Sequence, residues 1–264
     1  MIKFNGKIIE QNHFPDGTLL IKQDPTENSL EFCYDDIIWL FENNEELITL
    51  IYLVKHLRAN EIKDIILTMP YIPNARQDRV KTPEDVFTLK YFADIINDLD
   101  FHTVQVLDPH SYVSEALINN ITVETPKEYI NKAIENCNPN MLFFPDEGAM
   151  KRYSSMANKE YAFGIKRRDW ATGKIEGLDV AGSIDKIKDS RILIVDDICS
   201  RGGTFYHSAK KLKELGAKEI YLYITHCENT ILEGELLTSG LIEKVYTTNS
   251  IFTKEHEKIE VFEI

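Results

Sequence analysis

At 264 residues the chain has the length for two ordinary domains, and apolar and charged fractions of 43% and 28% exclude a disordered or fibrous class and suit a soluble globular enzyme. No apolar run approaches the roughly 18 residues of a spanning helix, and the opening "MIKFNGKIIE" lacks the apolar core of a signal peptide, so a cytoplasmic protein without membrane contact is expected. With 43 acidic against 30 basic residues the net charge is −13, which disfavours nonspecific nucleic-acid binding and requires any anionic ligand to meet locally concentrated cations.

In chain order, "HFPDGT" (13–18) carries turn residues behind an aromatic, Phe14, with Asp16 close by. Apolar residues at helical spacing predict a helix over 43–60, and the run "DIILTM" predicts a strand over 64–69. After that strand comes "PYIPNARQDR" (70–79). Arg76 and Arg79 there suit phosphate oxygens, while Gln77 and Asp78 can bond a base or orient the arginines. A second helix is expected over 82–100, with Thr82, Pro83 and Asp85 as its start signal. The strand "TVQVLD" (103–108) leads into Pro109, His110 and Ser111. The "NPN" of 138–140 interrupts the pattern and sets an expected boundary between domains 1–138 and 139–264.

The second half repeats the strand, loop and helix alternation. Strands are expected over 140–145, 161–165, 192–196, 219–226 and 244–248, and a helix over 204–219 closed by Gly216. The stretch "FPDEGA" (144–149) follows the first of these strands, and "GIKRRDWATGKI" (164–175) concentrates basic residues in an acidic chain. The run "RILIVDDICSRGGTF" ends a buried strand in two carboxylates, Asp196 and Asp197, ahead of a small-residue loop. Open α/β folds bind ligands at that edge. Backbone amides at Gly202, Gly203 and Thr204 can cradle a phosphate on a helix N-terminus, and the two acids can accept from neighbouring sugar hydroxyls, so the pattern fits a phosphorylated ribose. The absence of a G-K-[ST] element excludes a Walker loop. Cys33, Cys137, Cys199 and Cys227 lack CxxC spacing, which argues for reduced thiols over zinc or disulfides.

The Asp196–Thr204 stretch resembles the phosphoribosyl-pyrophosphate motif of type I phosphoribosyltransferases and of phosphoribosyl pyrophosphate synthases, and "ARQDR", "HFPDGT", "LDPHS", "FPDEGA" and "KRR" resemble further segments of the synthases. The resemblance spans about residues 12–228. It implies a two-domain α/β protein, each domain a mainly parallel sheet flanked by helices, with the active site between them. It implies diphosphoryl transfer from ATP, as its magnesium complex, to the anomeric hydroxyl of ribose 5-phosphate, releasing AMP. Phe14, Asp16, Arg76, Gln77, Asp78 and His110 would form the ATP site. Asp146, Glu147, Gly148 and Ala149 would form a pyrophosphate loop, with His110 and Asp146 as the metal-site residues. Lys166 and Arg168 would be catalytic. Asp196, Asp197, Ser200, Arg201, Gly202, Gly203 and Thr204 would bind the sugar phosphate. A homo-oligomer is implied through the Phe14 segment, which usually reaches a neighbouring subunit.

Two departures stand out. Ala149 replaces a glycine, and Arg201 stands where the family usually has threonine. Arg201 could point outward and be neutral, or could clamp the diphosphate of a larger acceptor, for which ADP-ribose is the candidate. A non-catalytic regulatory homologue and a base-exchanging phosphoribosyltransferase are the other readings.

Overall fold

Apolar residues alternate along the strands of the first half and run together in the second, and this difference produces two differently covered sheets. The computed structural model describes residues 1–24, 34–168 and 175–264, without the side chains of 166–168, 175 and 176. The chain divides into two units, Met1–Thr125 and Pro126–Ile264.

The first unit contains strands β1 (Ile2–Phe4), β2 (Lys7–Ile8), β3 (Asn12–His13), β4 (Leu19–Leu20) and β5 (Asp35–Trp39), helix α1 (Glu45–Ala59), strand β6 (Ile65–Thr68), helix α2 (Thr88–Asp98), strand β7 (Thr103–Leu107), helix α3 (Tyr112–Leu117) and strand β8 (Ile121–Glu124). Its sheet has the order β2-β1-β5-β6-β7-β8, parallel from β5 to β8, and β3 and β4 form a separate hairpin. Ile37, Trp39, Ile65, Leu67, Val104 and Val106 share one core with the apolar stripes of α1 and α2. The alternate residues Asp36, Ile66, Thr68 and Gln105 stay half-buried, and Thr68 Oγ1 lies 3.3 Å from Asp36 Oδ1 and 3.1 Å from Gln105 Oε1. Burial pushes the Asp36 carboxyl pKa up, against the opposing pull of the Thr68 hydroxyl.

The expected helix over 82–100 begins only at Thr88. Asp85 accepts from the amides of Lys81 and Thr82, both at 2.8 Å, so its carboxylate closes a turn ahead of the helix and does not cap it.

The second unit contains helix α4 (Lys127–Cys137), strand β9 (Met141–Phe144), helix α5 (Glu147–Tyr153), strands β10 (Glu160–Arg168), β11 (Ile175–Gly182) and β12 (Arg191–Cys199), helix α6 (Gly203–Glu214), and strands β13 (Glu219–Cys227), β14 (Lys244–Thr248) and β15 (Ile259–Phe262). The strand order is β11-β10-β9-β12-β13-β14-β15, parallel except for the β10–β11 hairpin. Here successive residues of β12 go to different cores. Ile192 and Ile194 pack with Phe205, Ala209 and Leu212 of α6, whereas Leu193 and Val195 pack with Ile130 and Ala133 of α4 and Tyr153 of α5. Burial on both faces explains the unbroken "ILIV" run. Because α4 belongs to this core, the division falls between Thr125 and Pro126 and not at the expected 138.

Cys137, Cys199 and Cys227 are buried free thiols, and Cys33 lies outside the described residues. Burial pushes Cys137 up to about 12. Among the described residues no helix is long and apolar enough to cross a membrane.

Phe143 lies fully buried in the middle of β9, between β10 and β12. Phe143→Ala should lower unfolding stability by about 3–5 kcal/mol, read in urea as a lower midpoint at unchanged slope. A loss below about 1 kcal/mol would contradict this packing.

Candidate functional site

In the first unit, two loops at the carboxyl edge of the sheet carry residues expected at the ATP site. Residues 70–79 follow β6 and are anchored by buried Tyr71, Ile72 and Ala75, with the Tyr71 ring 6.0 Å from Phe41. Arg76, Gln77 and Arg79 are exposed, while Asp78 turns inward. Asp78 Oδ1 accepts from Arg79 Nε at 2.7 Å and Oδ2 from Arg79 Nη2 at 3.1 Å, a two-pronged contact that fixes the guanidinium plane. Asp78 Oδ2 also accepts from Ser111 Oγ at 2.7 Å, and Ser111 in turn caps α3 by accepting from the Val113 amide. The residue before Ser111 is His110, half-buried, so the same contact ties the arginine loop to the histidine loop. A backbone bond from Leu107 N to Pro70 O, 3.0 Å, joins the two loops at their bases. The Arg79 hydrogen bonds hold the Asp78 carboxyl below its usual range, with Ser111 adding to the effect against burial. Gln77 Oε1 accepts from Thr88 Oγ1 at 2.9 Å, which fastens the loop to the start of α2.

Phe14 lies apart from these loops in sequence, at the β3–β4 turn, where the residue is 49% exposed. Asp16 accepts from the Thr18 amide and hydroxyl at 3.0 and 2.7 Å, which lowers its pKa, the hydroxyl contributing most. Its carboxylate therefore shapes the turn that presents Phe14.

In the second unit, Asp146 caps α5 by accepting from the Ala149 amide at 3.1 Å, so that amide is turned to the protein's own carboxylate. Ala149 packs into the core, and Glu147 pairs with Lys151 on the surface at 2.9 Å. At the end of β12, Asp196 is half-buried and accepts from the Asp197 amide at 3.0 Å. Asp197 is nearly buried, and its Oδ2 accepts from Arg152 Nη1 of α5 at 3.1 Å.

The loop that follows is built to present backbone. Gly202 takes φ +81° and starts α6 without any side-chain cap, while Gly203 and Thr204 are exposed in the first turn. The unsatisfied amides of such a turn attract anions. Residues 228–236 lie directly behind this loop. Glu228 accepts from Ser200 Oγ at 2.8 Å, Arg201 pairs with Glu233 at 3.1 Å, and a Cβ on Gly234 would come within 1.9 Å of the Arg201 carbonyl oxygen. Arg201 is thus drawn toward Glu233, its side chain 72% exposed.

The structure therefore gathers Arg76, Gln77, Asp78 and His110 in one unit, and Asp196, Asp197 and the Ser200–Thr204 loop in the other. The side chains of Lys166 and Arg168 lie outside the described residues, and their backbone ends strand β10. His110 and Asp146 belong to different units. Among the described residues no group of three or more His, Cys, Asp or Glu side chains could hold a metal. Sequence reading missed Ser111 as a tie, Arg152 and the backing segment around Glu228. Arg152 left only a weak sign, a basic pair in the last turn of a helix.

A family model described as the N-terminal domain of ribose phosphate pyrophosphokinase matches residues 32–99. The ribose-phosphate pyrophosphokinase of Aquifex aeolicus is 31% identical over 231 residues, covering 84% of this chain and 73% of that one. That of Mycoplasma pneumoniae is 27% identical, covering 100% of this chain and 82% of its own length. The crystal structure of phosphoribosylpyrophosphate synthetase from Mycobacterium smegmatis superposes with a TM-score of 0.79 at 19% identity, covering 97% of this chain and 86% of that chain, which establishes likeness of fold.

Because Asp78 has a lowered folded pKa, its contribution to stability is complete above the unfolded value of about 3.9 and is lost as pH falls through the folded value. Urea titrations of wild type and Asp78→Asn should differ by a constant from about pH 7 to 5 and converge in acid. A difference that grew with falling pH would contradict the Arg79 pairing.

Proposed function

The chain belongs to the ribose-phosphate pyrophosphokinase family, and on that premise we propose that it transfers the β,γ-diphosphoryl group of ATP to the anomeric hydroxyl of ribose 5-phosphate, giving phosphoribosyl pyrophosphate and AMP. The observation that carries the acceptor half is the end of β12, where two acids precede an uncapped helix N-terminus. Phosphate oxygens bind the exposed amides of the Gly203 turn, while a ribose diol needs carboxylate acceptors close by, and Asp196 is the more accessible of the pair.

On the donor side, Arg76 and Arg79 bring fixed positive charge to the ATP phosphates, Arg79 held in plane by Asp78. Gln77 and the Phe14 ring address the base, Asp16 serves by shaping the Phe14 turn, and His110 lies beside the phosphates. The anomeric oxygen attacks the β-phosphorus in line, its proton leaves to solvent, and the bond from the β-phosphorus to the α-phosphate oxygen breaks. Charge spreads over the phosphoryl oxygens, so positioning and cations supply most of the rate enhancement. Lys166 and Arg168 are assigned to that task. Magnesium carried on ATP would add further neutralisation of the phosphate charge. The exposed Phe14 turn supports a homo-oligomer in which it meets a neighbouring copy. Composition supports a cytoplasmic location.

A second acceptor, ADP-ribose, is favoured by one observation. Arg201 extends away from the cradle toward Glu233, where it leaves the 5-phosphate amides uncrowded and offers a planar cation to a further phosphate. An exposed pair of this kind contributes little to stability, so a diphosphate can replace Glu233 at small cost.

AMP release should require a ribose acceptor. Lys166→Ala and Arg168→Ala should each lower turnover by about two orders of magnitude with unchanged circular dichroism. Wild-type turnover in both would refute the assignment. With the two acceptors at equal concentration, Arg201→Thr should lower ADP-ribose use and leave ribose 5-phosphate use nearly unchanged. Equal effects on both would remove the second acceptor.

A further inference from the structure

Arg152 belongs to none of the sequence motifs, yet its guanidinium meets the second acid of the sugar-binding pair. Nη1 donates to Asp197 Oδ2 at 3.1 Å, with side-chain exposures of 19% and 9%. Water screens such a contact weakly, and removal of one partner leaves the other charge desolvated. The helix that carries Arg152 is itself fixed at both ends. Asp146 caps its start, and Tyr153, the residue after Arg152, is 1% exposed in the core shared with Val195 of β12. The guanidinium carbon lies 5.8 Å from the centroid of the Tyr153 ring. Helix α5, which starts with the expected pyrophosphate-loop residues, is thereby latched to the carboxyl end of β12.

Resting on the acceptor reading above, we propose that Arg152 is a positioning residue for the acceptor sugar. It holds the Asp197 carboxylate in one orientation. A carboxylate has about four acceptor positions, so the bond from Arg152 is compatible with a ribose hydroxyl on the same group. Asp197 thus meets the sugar from a fixed position, and Asp196, half-buried beside it, supplies the second acceptor. Arg152 acts through Asp197 and does not touch the sugar.

The test compares wild type, Arg152→Ala, Arg152→Lys, Asp197→Asn and the Arg152→Ala/Asp197→Asn double variant, measuring KM for ribose 5-phosphate, KM for ATP, kcat, and calorimetric binding of ribose 5-phosphate. Arg152→Ala should raise the sugar KM about ten-fold and leave the ATP KM unchanged, and lysine should restore part of the loss, because it keeps the charge without the planar donors. The double variant should be no worse than the worse single variant, since both break the same contact. Additive losses would overturn the proposal by showing that Arg152 contacts substrate independently. Equal rises in both KM values, or a lowered melting temperature with both KM values unchanged, would overturn it in favour of a purely structural role. Should Arg152→Ala fail to fold, the sugar KM of Arg152→Lys decides, and a wild-type value overturns the proposal. If wild type binds no ribose 5-phosphate, the acceptor reading itself fails and takes the proposal with it. If wild type binds and Arg152→Ala binds equally, only the role of Arg152 falls.

Discussion

At the end of β12 carboxylates lie beside the uncapped N-terminus of α6, and each acid has a fixed neighbour. Asp197 is held by Arg152, Asp196 by the next backbone amide, and Glu228 by the hydroxyls of Ser200 and Thr230. In the first unit a buried acid plays the corresponding part, Asp78 gripping the exposed Arg79 through both carboxylate oxygens.

Backbone proximity is the second constraint. Gly234 lies so close to the Arg201 carbonyl that no side chain fits, and Leu236 packs on Gly202, whose Cβ would fall 2.9 Å from Leu236 Cδ2. The Ser200–Thr204 loop is therefore tightly packed from behind, which fixes its backbone without a side-chain cap.

The strands of the second sheet were legible because burial on both faces leaves continuous apolar runs such as "ILIV", and the loops after them were legible because acids, glycines and arginines cluster at strand ends. Less was visible where the determinant is long-range. Helix α4 follows its Ile130 and Ala133 into the second core, which no local signal announced ahead of the "NPN" break. Asp85 read as a helix cap, yet a carboxylate near two free amides serves an isolated turn equally well. The β10–β11 hairpin was hidden because "KRR" reads as loop while its backbone continues the strand. Arg152 and Glu228 carry no motif, and their contacts with Asp197 and Ser200 span 45 and 28 positions of sequence.

In the proposed reaction two phosphoryl groups move together from ATP to the anomeric hydroxyl of the sugar. ³¹P NMR of a reaction containing the protein, Mg-ATP and ribose 5-phosphate follows this transfer. AMP and a sugar-linked diphosphate, two coupled phosphorus signals, should appear in equal amounts. Formation of ADP, or of free pyrophosphate with no sugar diphosphate, would contradict it.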